Sequence, residues 1–154
     1  MRGGGLGLIG KVMLASDHAG WALKEAVKRH LERKGFTVRD FGCFSSECCD
    51  YPDFIIPACE DTVKEKCFAI VFGGSGAGEC IAANKVRGVR AVVAYSDQTA
   101  RLAREHNDAN VLCLGGRTTE EAKAIHFTDV FLSTPFSEEQ RHVRRIKKIS
   151  DYEK

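Results

Sequence analysis

Apolar and polar positions follow two rhythms along this chain. Val12-Met13-Leu14-Ala15 is a short apolar run followed by turn residues, which predicts a buried strand. Between residues 20 and 34, Leu23, Val27 and Leu31 recur at i, i+4 and i+8 among Lys24, Glu25, Lys28, Arg29 and Glu32. That spacing predicts an amphipathic helix, with Gly35 suited to its C-terminal cap. Phe36 to Phe41 alternates as a strand does, and residues 42–52 form a polar loop. Pro52-Asp53 opens a helix to about Lys66. Phe68 to Phe72 is the strongest buried-strand run, and it ends at Gly73-Gly74-Ser75-Gly76-Ala77-Gly78 before a helix to about Val86. A strand over Arg90–Ala94, a helix over 97–106 and a strand over Ala109–Leu114 follow. Thr118-Thr119-Glu120-Glu121 reads as a capping box for a helix over 119–132, and Ser137-Glu138-Glu139-Gln140 as another for a C-terminal helix.

Strands and helices thus alternate with short connections, and no repeat or low-complexity tract interrupts them. The order predicts an α/β fold: a three-layer αβα sandwich around a Rossmann-like five-stranded parallel sheet. Such sheets bind ligands beyond the carboxyl ends of their strands. That rule singles out Asp17-His18, residues 73–79, Ser96-Asp97 and Gly115-Gly116-Arg117.

Composition narrows the picture. At 154 residues the chain fits one domain, expected over 11–154 behind a flexible lead-in at 1–10. Met1-Arg2 with Leu6, Leu8 and Ile9 has a slight signal-peptide look, but glycines dilute the run, Lys11 interrupts it and no cleavage pattern follows. A formal charge of +2 is too balanced for a nucleic-acid surface, and no apolar run has the length of a membrane span. The seven cysteines (43, 48, 49, 59, 67, 80 and 113) form no C-x-x-C pair, and Cys48-Cys49 lacks a nearby His for a zinc site. No metal and no cofactor are expected. An odd count in a domain able to bury its own core points to reduced thiols and a cytoplasmic location.

The chemistry-bearing segments each admit a plain reading and a functional one. The glycine run at 73–78 is either a tight turn or an anion cradle at a helix start; it matches neither a P-loop nor G-x-G-x-x-G. Glu79 either complements the helix dipole or acts as a base beside that cradle. Asp17 caps a helix or shares a crevice with His18. His106-Asn107 is a polar helix end or part of a site. Arg141, Arg145 and Lys148 share one stripe beside an apolar face of Val143, Ile146 and Ile149. They form either a solvated basic face or a phosphate clamp, since guanidinium groups hold phosphate bidentately. No aromatic platform accompanies them, which argues against nucleic acid.

Taken in order, several strings resemble the ribose-5-phosphate isomerase B family. They are Ala15-Ser16-Asp17-His18-Ala19-Gly20, Asp50-Tyr51-Pro52-Asp53, residues 73–85, Arg87-Gly88-Val89-Arg90-Ala91, Glu105 to Leu112 and Arg141 to Ile146. The likeness runs from about residue 11 to 150, and galactose-6-phosphate isomerases share part of it. The resemblance implies a metal-free aldose–ketose isomerase of the pentose phosphate pathway, interconverting D-ribose 5-phosphate and D-ribulose 5-phosphate through an enediolate. One branch of the family uses a Cys just before the glycine loop as base, where this chain has Gly73; the other uses a Glu just after it, here Glu79. His106, helped by Asp17, matches the ring-opening residues. Gly74, Ser75, Gly76, Ala77 and Gly78 would hold the enediolate, with Ser75 shuttling a proton between O1 and O2. His18, Arg117, Arg141 and Arg145 match phosphate ligands, and Tyr51 and Asn107 match positions lining the sugar.

The resemblance further implies a homodimer, with a tetramer as an option, whose site crosses the interface. The C-terminal helix would reach to the partner, and Asn107, Arg117 and the C-terminal arginines would come from a different subunit than Glu79. Two alternatives stand: an isomerase of a six-carbon sugar phosphate (allose or galactose 6-phosphate), and a non-catalytic sugar-phosphate-binding protein. The presence of Glu79, Ser75 and His106 argues against the second.

Overall fold

Period-two alternation within the apolar runs decides where the core sits. The computed structural model describes residues 10–153; the expected lead-in at 1–10 lies, but for Gly10, outside the described residues. β1 (Lys11–Ser16), β2 (Thr37–Asp40), β3 (Phe68–Gly73), β4 (Ala91–Val93) and β5 (Val111–Gly115) form one parallel sheet in the order β2-β1-β3-β5-β4. Val12, Leu14, Ile70, Phe72, Leu112 and Leu114 face one side, where α1 (Trp21–Arg33), α4 (Asp97–Asn107) and α5 (Glu121–Ser133) pack through Val27, Ala100 and Phe131. Met13, Ala15, Ala69, Val71, Val111 and Cys113 face the other, under α2 (Pro52–Glu65) and α3 (Ala77–Ala83). Three layers result because both faces of the central strands are apolar. The last helix, α6 (Gln140–Tyr152), lies outside the sandwich and touches it at α4.

Two expected helix starts are not capped as predicted. α5 begins at Glu121 behind Glu120, with no side-chain cap. The threonines before it serve the preceding turn instead: the Thr118 and Thr119 N–H groups both donate to the Gly115 carbonyl (3.3 and 2.9 Å). α6 begins at Gln140 behind Glu139, again without a side-chain cap, because Ser137 accepts from the Glu139 N–H (3.4 Å) and its own N–H donates to Glu105 O (3.1 Å). A capping box does form at α4, where Ser96 and Thr99 bond reciprocally. The expected apolar face of α6 is also rotated. His142 is the buried residue of that helix, whereas Val143 and Ile149 are 40% and 52% exposed.

The sheet register fixes the position of the site. Ser16 pairs with Phe72 and Gly73 with Gly115, so β1, β3 and β5 end side by side. The turns beyond them interlock: Gly116 N–H donates to Gly73 O (2.7 Å), Arg117 N–H to Gly74 O (2.9 Å) and Asp17 N–H to Phe72 O (3.1 Å).

Candidate active site

These three turns and the start of α2 enclose an open cleft of about 440 Å³ lined by Asp17, Tyr51, Gly74, Ser75, Gly78, Glu79, Arg117 and Thr118. At its floor, Glu79 extends from the first turn of α3 and is only 3% exposed. Burial, helped by the neighbouring Asp17 carboxylate, pushes its pKa up to about 7, against an opposing pull from its own backbone N–H. The carboxylate fits because residue 73 has no side chain: a Cβ there would overlap the Glu79 carboxyl group. Gly73 and Glu79 therefore depend on one another. Gly76 has φ of +83°, the left-handed backbone that lets the loop turn directly into α3.

Asp17 is 8% exposed, and its Oδ1 accepts from the Gly20 N–H (2.9 Å), so it closes the β1–α1 turn as well as facing the cleft. Beside it, half-buried His18 accepts the Cys49 N–H at Nδ1 (3.3 Å). With Nδ1 accepting, Nε2 is left to carry an N–H, a donor suited to an anion. Tyr51 precedes α2, and its ring stands against Gly78, where a Cβ would lie 2.9 Å from Cζ. Ser75 is exposed at the cleft mouth, and its Oγ accepts from Ala77 N–H (3.3 Å).

The remaining predicted residues are elsewhere. α4 starts beyond the carboxyl end of β4 and runs back, 11 residues and roughly 16 Å at 1.5 Å per residue, to the amino ends of the strands. His106 and Asn107 are at that far end. Arg90 secures the turn there, donating from Nε to Asn107 O and Asp108 O (both 3.0 Å), while buried Arg104 donates to Ala109 O (2.6 Å). α6 brings Arg141 and Arg145 to the same end, both exposed, with Arg141 paired to Glu139 (2.8 Å). His142 stacks on His106, ring centroids 4.3 Å apart and planes 17° from parallel.

One chain thus gathers Asp17, Tyr51, the 74–78 loop, Glu79 and Arg117 in one place, and His106, Asn107, Arg141 and Arg145 in another. Arg117 corrects an expectation. It lines the cleft of its own chain's Glu79, because the β5 turn that carries it is bonded to the β3 turn. Sequence reasoning missed Thr118, whose signal is its place directly after Arg117, and it assigned no role to His142. The cysteines lie apart from the cleft lining. Cys80 follows Glu79 but bonds toward the Ala91 carbonyl (3.4 Å), and its hydrogen bond with Cys113 lowers its pKa to about 7.

Comparison with known proteins gives the family and the fold. The ribose/galactose isomerase family model matches residues 12–149. Ribose-5-phosphate isomerase B of Mycobacterium leprae is 47% identical over 146 residues, covering 94% of this chain and 90% of that protein. The ribose-5-phosphate isomerase B structure from Clostridium thermocellum superposes with a TM-score of 0.91 at 41% identity, covering 94% of this chain and 97% of that one. A Mycoplasma genitalium relative, solved with bound ribulose 5-phosphate, gives 0.89 at 42% identity, covering 93% and 95%. The chain belongs to the ribose/galactose isomerase family.

Proposed function

We propose that this member of the family interconverts D-ribose 5-phosphate and D-ribulose 5-phosphate, with Glu79 as the base. The observation that carries the base assignment is the buried Glu79 carboxylate in the space left by Gly73, its pKa pushed up to about 7. A base is most effective when its pKa is near the working pH, and an ordinary surface glutamate is far below it. Ring opening comes first: His106 gives a proton to the furanose oxygen as Asp17 takes the one that leaves the anomeric hydroxyl. Glu79 then takes the C2 proton and returns it to C1. Between those transfers the enediolate oxygens rest on the N–H groups of residues 74–78, an arrangement that needs no reorganisation as charge develops. Ser75 moves the hydroxyl proton from O2 to O1. His18, Arg117, Arg141 and Arg145 hold the phosphate, and Tyr51 and Asn107 line the sugar.

This assignment requires two chains. His106 and Glu79 occupy opposite ends of the sheet, so we place the site across a homodimer, with α6 and the end of α4 of one protomer closing the cleft of its partner. The exposed Arg141 and Arg145 support that reading. Complementation tests it. Glu79→Gln and His106→Asn chains, each nearly inactive alone, are unfolded together and refolded. A mixed dimer then holds one intact site of two, and random pairing restores about a quarter of wild-type activity. No recovery would place the whole site within one chain. Six-carbon sugar phosphates remain as competing substrates, and relative kcat/KM on ribose 5-phosphate, allose 6-phosphate and galactose 6-phosphate ranks them.

A further inference from the structure

His142 is absent from the scheme above, yet its surroundings are unusual. It is 5% exposed on a helix whose other side chains are mostly in solvent. Its Nε2 is the one buried side-chain nitrogen or oxygen among the described residues without a hydrogen-bond partner. An unsatisfied buried polar atom is a destabilising feature, and such atoms call for an explanation. The ring's contact is through its face: it lies nearly parallel to His106 at 4.3 Å. Burial, the charge of His106 on α4, and Arg141 and Arg145 on α6 all depress its pKa; Glu139 alone opposes them. His142 thus presents a flat ring face to His106.

We propose that His142 is a positioning residue that fixes the His106 ring for furanose opening by face-to-face stacking. The inference rests on the reading of His106 as the ring-opening group. His106 is at the last turn of α4, half-exposed, where an imidazole would otherwise sample several rotamers. Stacking removes rotation out of the plane and leaves the ring edge, with its nitrogens, free to face the sugar. A face acts without hydrogen bonds, which accounts for the unpartnered Nε2.

Three variants test the idea. His142→Leu fills the site without a flat face, and His142→Phe restores the face without nitrogen. Two rates are read: turnover of ribose 5-phosphate, and exchange of the C1 proton of ribulose 5-phosphate with deuterium oxide. Ribulose 5-phosphate cannot form a furanose, because its O5 is esterified, so exchange needs Glu79 but no ring opening. His142→Leu is expected to lower kcat on ribose 5-phosphate about tenfold to a hundredfold with KM nearly unchanged, the scale of a misplaced catalytic group. His142→Phe should stay within about threefold of wild type, and both variants should exchange at the wild-type rate. Equal turnover losses in the two variants, wild-type turnover in His142→Leu, or loss of exchange would each overturn the proposal. His106→Asn, the third variant, separates this from the parent reading: wild-type turnover there would remove His106, and not merely its support.

Discussion

The two halves of the proposed site are built by different means. At the carboxyl ends of the strands, position is set by backbone: Glu79 and Asp17 are 3% and 8% exposed, and three turns bond to one another through main-chain groups. At the end of α4 and along α6, position is set by side chains, with Arg141 and Arg145 in solvent, His142 stacked on His106, and Glu153 accepting from the Gly88 N–H. The difference follows from what each half must supply. Proton abstraction from carbon needs a raised pKa and a fixed geometry, both products of burial. Phosphate binding needs mobile positive charge that a ligand can organise. A rigid interior performs the proton transfer at carbon, and the exposed arginines of the helix half supply grip beside His106, which opens the ring.

If that division holds, lesions of Glu79 and its support should act on kcat, and lesions of the α6 arginines on KM. The largest effect is expected for Glu79→Gln. It keeps the shape and removes the base, so kcat should fall about 10³-fold, with ribulose 5-phosphate affinity within a few-fold of wild type by calorimetry. Equal losses in affinity and kcat would mean that Glu79 binds and does not react. Next is Gly73→Ala. One methyl group expels the Glu79 carboxylate from its place, and a loss of about 10²-fold in kcat is expected. Near-normal turnover in this variant would break the claim that the two residues depend on one another.

The helix half should respond differently. Removing a charge-assisted hydrogen bond to phosphate costs about 1.5–3 kcal/mol. Arg145→Ala or Arg141→Ala should therefore raise KM about tenfold to a hundredfold and leave kcat within a few-fold. An Arg145→Ala variant whose kcat fell while KM held would move that residue from grip to chemistry.

This contrast also separates what was legible in the sequence from what was not. The strands were visible because both faces of the sheet are apolar, which makes runs such as Phe68–Phe72 continuous. Glu79, Ser75 and Asp17 were visible because strand ends in a parallel sheet are where ligands bind. The helix half was harder. Thr118 and Ser137 carry capping signatures, but the turn back to the Gly115 carbonyl and the tertiary contact with Glu105 claim the local hydrogen bonds. Arg117 follows a strand and Asn107 ends a helix, so the strand-end rule groups the first with Glu79, and the pairing of turns bears that grouping out against the subunit assignment that the resemblance implied. His142 escaped notice because hydrophobic periodicity selects Val143, and nothing local announces that a histidine will be buried against another ring.

The smallest effect expected separates the halves by stability and not by rate. Glu79 has a folded-state pKa of about 7, above its ordinary 4.5. The native protein therefore binds this proton more tightly than the unfolded chain does. The stabilisation linked to it is fully present below about pH 4.5 and is lost as pH rises through 7, on the order of 3 kcal/mol in total. Glu79→Gln has no such proton to lose. Its Tm should match that of wild type near pH 4.5 and exceed it by several degrees at pH 8, where the wild type carries a buried carboxylate. Arg145→Ala, on the solvated half, should track wild type at both values, since an exposed guanidinium leaves the interior unchanged. A Tm difference between Glu79→Gln and wild type that did not grow with pH would mean that Glu79 is ionised without cost in the folded protein, and the burial argument for its reactivity would fall with it.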